Sequence, residues 1–533
     1  MTVDIASLVS DNLNIWTTAV ERKSGVGRGG RKGIKAYGID SLRTLILDLA
    51  AAGKLVPGER VELQRLGPQV DLVMGQAPPG NQCNTDGLGT VFVKTGEFGE
   101  RFPAVREWTT KPLKFAKSGD VLICVVGATI GKLNLAIDCA IGRSVAAIRP
   151  KKNLRTEFLY YSLMPFTLRL RRDSRGSAQG VIGKAELDSV PIRIPPLAEQ
   201  QRIVAKVDEL MALCDALEAE SAAAMAAHQT LVEALLATLT ASTDAADLAT
   251  NWARLEAYFD TLFTTEASVD ALKRTFLDLA VRGKLVEQNA GDEPAKTAFN
   301  RIIALKKKLI SEKKIRKDKP PSVIDELDLP FPVPVGWIWC RIGEVALSTE
   351  YGTSRKAFSG QDGIAILAMG NIQNGTVNLE SDKVIPRDSD EFPELLLRNG
   401  DILYNRTNSY ELVGKTGIFR HQAPDYSFAS YLIRIRLDER SLEPEFLNIA
   451  MNTPYFRQTQ VVPRITKQTG QANVSGGAMR NMLVPFPPIA EQQRIVVKVN
   501  ELMALCDELK VRLAEAGVTQ KQLADITVER AAA

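Results

Sequence analysis

Three strings in this sequence carry residue types that could hold a nucleotide. Glycines 25, 27 and 30 spell GxGxxG within GVGRGG. Such glycines let a backbone approach a pyrophosphate, but only between a strand and a helix. Here they follow ERKS and sit among Arg22, Lys23, Arg28, Arg31, Lys32 and Lys35, which reads as a flexible basic arm. GATIGKL (127–133) has three residues between its glycines where a phosphate loop needs four, and Leu133 offers no hydroxyl for magnesium. GKT at 414–416 has Ser409 where the loop needs a glycine. Both read as β-turns. The proline pairs Pro195-Pro196 and Pro487-Pro488 lack the preceding Asn or Asp and the following aromatic that amino-methyltransferases use to hold a target amine. Histidine occurs only at 228 and 421, without metal-ligand neighbours. No cofactor and no catalytic residue is expected.

Basic clusters offer a different chemistry. RIIALKKKLISEKKIRKDK (301–319) sets nine Lys/Arg against Glu312 and Asp318, and RLRRDSR (169–175) sets four Arg against one Asp. Such clusters neutralise phosphates and position a protein on DNA without reading its sequence; a solvated helix face is the plainer account. Base edges are read best by Arg, Asn and Gln. The candidates are Arg172, Arg175 and Gln179 in one region and Asn405, Arg406, Asn408 and Gln471 in another.

The elements that would position these residues emerge from internal repetition. PPLAEQQRIVAKVDELMALCDAL (195–217) and PPIAEQQRIVVKVNELMALCDEL (487–509) differ only at Leu197/Ile489, Ala205/Val497, Asp208/Asn500 and Ala216/Glu508. Prolines followed by acid and amide residues open a helix. Ile203, Val207, Leu210, Cys214 and Leu217 recur at coiled-coil spacing, as do Ile495, Val499, Leu502, Cys506, Leu509 and Leu513. Packing alone does not require the matched polar residues: Glu199/Glu491, Gln200/Gln492, Gln201/Gln493, Arg202/Arg494, Lys206/Lys498 and Asp215/Asp507. Their identity suggests one surface offered to two copies of a partner, with Glu199, Gln201, Arg202, Glu491, Gln493 and Arg494 as its contacts. A second repeat pairs ILDLAAAGKLV (46–56) with FLDLAVRGKLV (276–286), each an amphipathic helix closed by Gly53 or Gly283.

Between the repeats lie two diverged regions that still resemble each other. Arg65-Leu66-Gly67 matches Arg341-Ile342-Gly343, SGDVLI (118–123) matches NGDILY (399–404), Gly131-Lys132 matches Gly414-Lys415, and Gln179 matches Gln471. Short β-branched runs between turn residues predict a mixed α/β domain built twice. The expected division is a basic arm and helical segment (1–59), a first domain (60–197), a helical spacer (198–287), a basic linker (288–334), a second domain (335–489) and a second spacer (490–533). The fold class is α/β, with two such domains separated by long antiparallel coiled-coil helices.

Length and composition set the outer limits. The chain has 533 residues, 45% hydrophobic and 24% charged, with formal net charge +4. That predicts two to four soluble domains and no global polycation. The N-terminus lacks a secretory pattern, and no apolar stretch approaches the ~18–20 residues a membrane helix needs. Six scattered cysteines without a CxxC pair predict free thiols in a reducing cytoplasm.

The order of elements, the GDIL and GATIGK-like strings, and the PPLAEQQRIV and PPIAEQQRIV boundaries resemble the specificity subunits of type I restriction-modification systems. LDLAxxGKLV and DEPAKTAFNRIIALKKKLISEKKI (292–315) resemble one subgroup, although the first domain lacks the basic lead-in of the second. The resemblance implies target-recognition domains that each read half of a split double-stranded DNA target. It implies helices that set the spacing and dock two modification (methyltransferase) subunits, with restriction (translocase and nuclease) subunits as further partners. Methyl-donor and ATP chemistry would lie on those other chains. A fused modification or nuclease enzyme and a protein-binding coiled-coil scaffold are the competing readings.

Overall fold

The computed structural model describes residues 4–22, 34–59, 61–127, 129–173, 181–317, 319, 322–325, 329–360, 362–422, 425–468 and 470–532. Two compact units divide the chain: 1–226 with 514–533, and 227–513. The helices that frame them are, in chain order, α1 (Tyr37–Ala52), α2 (Thr156–Asp173), α3 (Leu197–Ala241), α4 (Glu266–Val281), α5 (Ala295–Ser311), α6 (Pro444–Asn452) and α7 (Ile489–Ala532).

In the first unit, β1 (Leu63–Arg65) leads in and meets β6 (Pro191–Arg193) leading out, with Leu63 opposite Arg193 and Arg65 opposite Pro191. Between them, β2 (Val70–Met74), β3 (Val121–Cys124), β4 (Leu133–Leu135) and β5 (Val145–Pro150) form an antiparallel sheet in the order β2-β5-β3-β4. A mixed five-stranded sheet of short strands shares the domain. β3 is buried along its whole length, so the VLIC run stays apolar instead of alternating.

The second unit repeats the plan. β7 (Ile338–Arg341) leads in and pairs antiparallel with β12 (Leu483–Phe486) leading out. β8 (Ser348–Tyr351), β9 (Ile402–Asn405), β10 (Thr416–Ile418) and β11 (Leu432–Arg436) pair antiparallel in the order β8-β11-β9-β10, the order of the first sheet. Two further short strands extend this sheet beyond β10. A three-stranded ribbon joins Thr407–Asn408, Gln471–Asn473 and Thr466–Gln468.

The GD strings have a structural reason. Asp120 and Asp401, each 2% exposed, precede β3 and β9. Arg149 of β5 grips Asp120 with two bonds of 2.8 and 2.7 Å. Arg436 of β11 grips Asp401 with bonds of 2.7 and 2.6 Å. Each carboxylate also accepts a turn amide, from Lys117 at 2.9 Å and from Arg398 at 2.8 Å. The turn before the central strand is thereby tied to the neighbouring strand in both domains.

The helices are antiparallel within each unit. Ile203, Val207, Leu210 and Cys214 from the start of α3 share a core cluster with α1 and with Ala524 near the end of α7. In the second unit, Val232, Leu236 and Leu239 from the end of α3 share a cluster with α4 and with Cys506 of α7. α1 and α4 both end on a left-handed glycine, Gly53 at φ 69° and Gly283 at φ 68°, where a Cβ would be strained. Over an eighteen-residue window α3 is apolar enough by length and composition to cross a membrane. This differs from the expectation that no apolar stretch approaches that length, because much of the apolar content of α3 is alanine.

Candidate nucleic-acid interface and helix docking face

On the second domain the candidates divide by burial. Asn405, at the end of β9, is 1% exposed and its Nδ2 donates to the Met369 carbonyl at 3.3 Å. This corrects its assignment as a base reader: an enclosed amide cannot reach a base edge. Arg406 is half-buried, with its guanidinium 5.0 Å from the centre of the Tyr351 ring and Nη1 donating to the Ser430 carbonyl at 3.4 Å. Asn408 and Gln471 lie on adjacent ribbon strands, with Asn408 opposite Ala472. Gln471 is exposed, and Asn408 is half-exposed with its Oδ1 accepting the Ser409 amide at 2.8 Å. The ribbon thus brings together two candidates that are far apart in sequence.

The structure adds residues that the sequence reading left out. Tyr410 is exposed beside the ribbon's Asn408, with Arg457 5.6 Å from its ring centre. Tyr351 is exposed under Arg406, and its hydroxyl accepts the Gly476 amide at 2.8 Å. Each pair holds a guanidinium against an aromatic face, which fixes the arginine beside the ribbon. Nothing in the spacing of Tyr351 and Arg406, or of Tyr410 and Arg457, signals contact; only the folded chain does. In the first domain, Arg172 lies in the last turn of α2, and Arg175 and Gln179 lie outside the described residues. The basic end of α5 exposes Lys307, Lys308, Lys313 and Lys314, with Glu312 countering part of the charge through a 2.8 Å pair to Lys314.

The matched helix residues mostly face inward. Glu199 is buried and accepts the Glu59 amide at 3.1 Å; Glu491 is buried and accepts the Trp337 indole N–H at 2.8 Å and the Gln288 amide at 2.6 Å. Gln200 Oε1 accepts the Arg155 amide at 2.8 Å, at the start of α2, and Gln492 Oε1 accepts the Glu443 amide at 2.8 Å, at the start of α6. Arg202 donates to the Pro57 carbonyl at 3.1 Å, and Arg494 pairs with Asp292 at 2.6 Å. Asp215 pairs with Arg43 of α1 at 2.7 Å, and Asp507 pairs with the matching Lys273 of α4. These bonds clip each recognition domain to its helix and each short helix to a long one. They correct the assignment of Glu199 and Glu491 as partner contacts, because neither carboxylate is accessible. Internal bonding accounts for much of the identity that had suggested a partner.

A narrower exposed stripe remains matched. It holds Gln201/Gln493, Glu209/Glu501, Ala212/Ala504 and Leu213/Leu505 at helical spacing. Leu213 is 40% exposed and Leu505 is 62% exposed. Among the described residues no group of three or more metal-ligating side chains converges, and all six cysteines are free thiols.

A chain with two copies of one α/β recognition domain, each clipped to a repeated long helix, has the organisation of a DNA specificity protein. The family model described as the type I restriction modification DNA specificity domain matches residues 61–224 and 334–516. The chain is 30% identical to the type I restriction enzyme EcoEI specificity subunit of Escherichia coli, over 99% of each chain. It is also 30% identical to the EcoAI specificity subunit of Escherichia coli, over 99% of this chain and 100% of that one. Among solved structures, the HsdS subunit from Thermoanaerobacter tengcongensis is 36% identical over 34% of this chain and 46% of its own, with TM-score 0.30. The chain belongs to the type I restriction-modification specificity subunits, with two recognition domains, and is a recognition component rather than an enzyme.

Proposed function

We propose that this chain reads a bipartite duplex target, one half with each recognition domain, and carries one modification subunit on each copy of the exposed helix stripe. A restriction subunit would join the assembled complex. The observation that carries this reading is the duplication itself: the same sheet order, the same Asp–Arg grip and the same paired strands leading in and out occur in both domains. Two half-sites multiply specificity because base-pair penalties roughly add.

In the second domain the reading surface is the ribbon carrying Asn408 and Gln471, flanked by the Arg406–Tyr351 and Arg457–Tyr410 stacks. In the first it is the end of α2 and the residues that follow in sequence, with Arg172, Arg175 and Gln179 as the candidates. On the helices, Gln201, Arg202, Gln493 and Arg494 remain accessible, in whole or in part, around the exposed leucines.

Native mass measurement of the complex tests the partner number. Wild type should carry two modification subunits. Leu213→Asp or Leu505→Asp should each leave one subunit bound, with affinity at the altered site lowered at least about tenfold, as for a central apolar anchor. The double variant should carry none. Two retained subunits in the double variant would place docking elsewhere.

A further inference from the structure

The GKLV strings after α1 and α4 do more than end those helices. In both, the glycine amide bonds back to the helix, Gly53 to Ala50 at 3.2 Å and Gly283 to Ala280 at 3.3 Å. The next amide bonds further back, Lys54 to Leu49 at 2.9 Å and Lys284 to Leu279 at 3.0 Å. This turn sends each lysine side chain to the carboxyl end of a different, longer helix. Lys284 Nζ donates to the Thr240 carbonyl at 2.9 Å and the Ser242 carbonyl at 2.6 Å, at the end of α3. Lys54 Nζ donates to the Ala532 carbonyl at 2.7 Å, in the last described turn of α7. The second GKLV string therefore caps the first long helix, and the first string sends its lysine to the last described turn of the second.

A helix end is the one place where carbonyls lack intrahelical partners, and it carries the negative end of the helix dipole. A cation held there recognises a unique point along the helix. The apolar seam does not. Val232, Leu236 and Leu239 recur at turn spacing and share a core cluster with Leu502, Cys506 and Leu509 of α7. Sliding such a seam by one turn, about 5.4 Å, puts apolar residues on apolar residues again.

We propose that Lys284 and Lys54 are register locks: they fix the axial position of the long helices against α4 and α1, and so hold the gap between the two half-targets to one length. One turn of slip corresponds to about one to two base pairs, at ~3.4 Å per pair. The lock rests on the bipartite reading above and adds the residues that enforce its spacing. Both are positioning residues, since neither needs to touch DNA.

Methylation-aware sequencing of DNA from cells carrying the intact system tests the lock, using Lys284→Met, Lys284→Arg and Lys54→Met. Wild type should modify two fixed half-sequences at a single gap. Lys284→Met should modify the same half-sequences at that gap and at gaps one or two base pairs longer or shorter. Its selectivity for the original gap should fall at least about tenfold, the scale of a charged hydrogen bond. Lys284→Arg, which keeps the cation, should retain the single gap. A merely stabilising lysine would lower modification at one unchanged gap, and that result in both Met variants overturns the proposal. So does complete loss of modification in both while the chains accumulate folded. A wild type that modifies half-sequences at many gaps, or one continuous sequence, would instead sink the bipartite reading.

Discussion

Two buried carboxylates show how single residues set the limits of this fold. Asp401 is gripped by Arg436 inside the second sheet; burial lifts its carboxyl above the usual range, although Arg436 pulls the other way. Asp401→Asn would leave Arg436 partly buried without its counter-charge. It should destabilise the second domain by about 2–4 kcal/mol in urea unfolding. Asp120→Asn should have a smaller effect, because Arg149 is more exposed than Arg436. Asp278 of α4 behaves differently: burial pushes its carboxyl up to about 6 against the pull of Arg282. Its folded-state pKa lies above the unfolded value, so the folded chain holds this proton more tightly. The contribution is full below about pH 4 and is lost as pH rises through about 6. Asp278→Asn should therefore gain roughly 1–2 kcal/mol over wild type above about pH 7 and little at about pH 4. Equal shifts at both pH values would remove the carboxyl as the cause. At this scale the sequence was a poor guide. Asn405 has the right chemistry to read a base but ends a buried strand, and Tyr351 lies under Arg406 only because the chain folds back between them.

The helices were the most legible elements, because their seams repeat at 3–4 spacing and their ends carry proline or glycine. Their partners were not legible. Glu199 and Glu491 repeat in sequence for the bonds they make to the segments leading into the recognition domains, and no periodicity reports such a bond. If the helices act as a ruler, their length should set the unread gap. Four residues inserted after Ala216 add roughly 6 Å and overshoot a full turn by only ~40°. The gap at modified sites should lengthen by about one to two base pairs with both half-sequences unchanged. Two inserted residues would rotate everything beyond them by ~200° and should abolish modification. Sequencing modified sites from both variants decides the matter; an unchanged gap in the longer variant would rule out the ruler.

For the whole molecule, the duplication predicts that the recognition domains are exchangeable parts. Replacing 60–194 with a related domain should change one half of the target and leave the other as it was. Sites modified by the chimaera would show this directly, and a change in both halves would contradict independent reading. The duplicated domain was visible in sequence through RLG/RIG, GDVL/GDIL and GK, each of which holds a turn or strand of the frame. The reading surfaces between those strings were not, since they follow no shared pattern. The paired strands that lead in and out of each domain also have a mechanical consequence. Leu63 faces Arg193 and Ile338 faces Phe486 at the helix side of each pair, while Arg65 faces Pro191 and Arg341 faces Leu483 at the domain side. Tension between bound DNA and the helices would run along both strands of a pair in the same direction. The two covalent backbones would share the load, and the hydrogen bonds between them would not be sheared. Each domain is thus tethered by a doubled strap, which resists peeling alongside the clips from Gln200 and Gln492 that hold the domain on its helix.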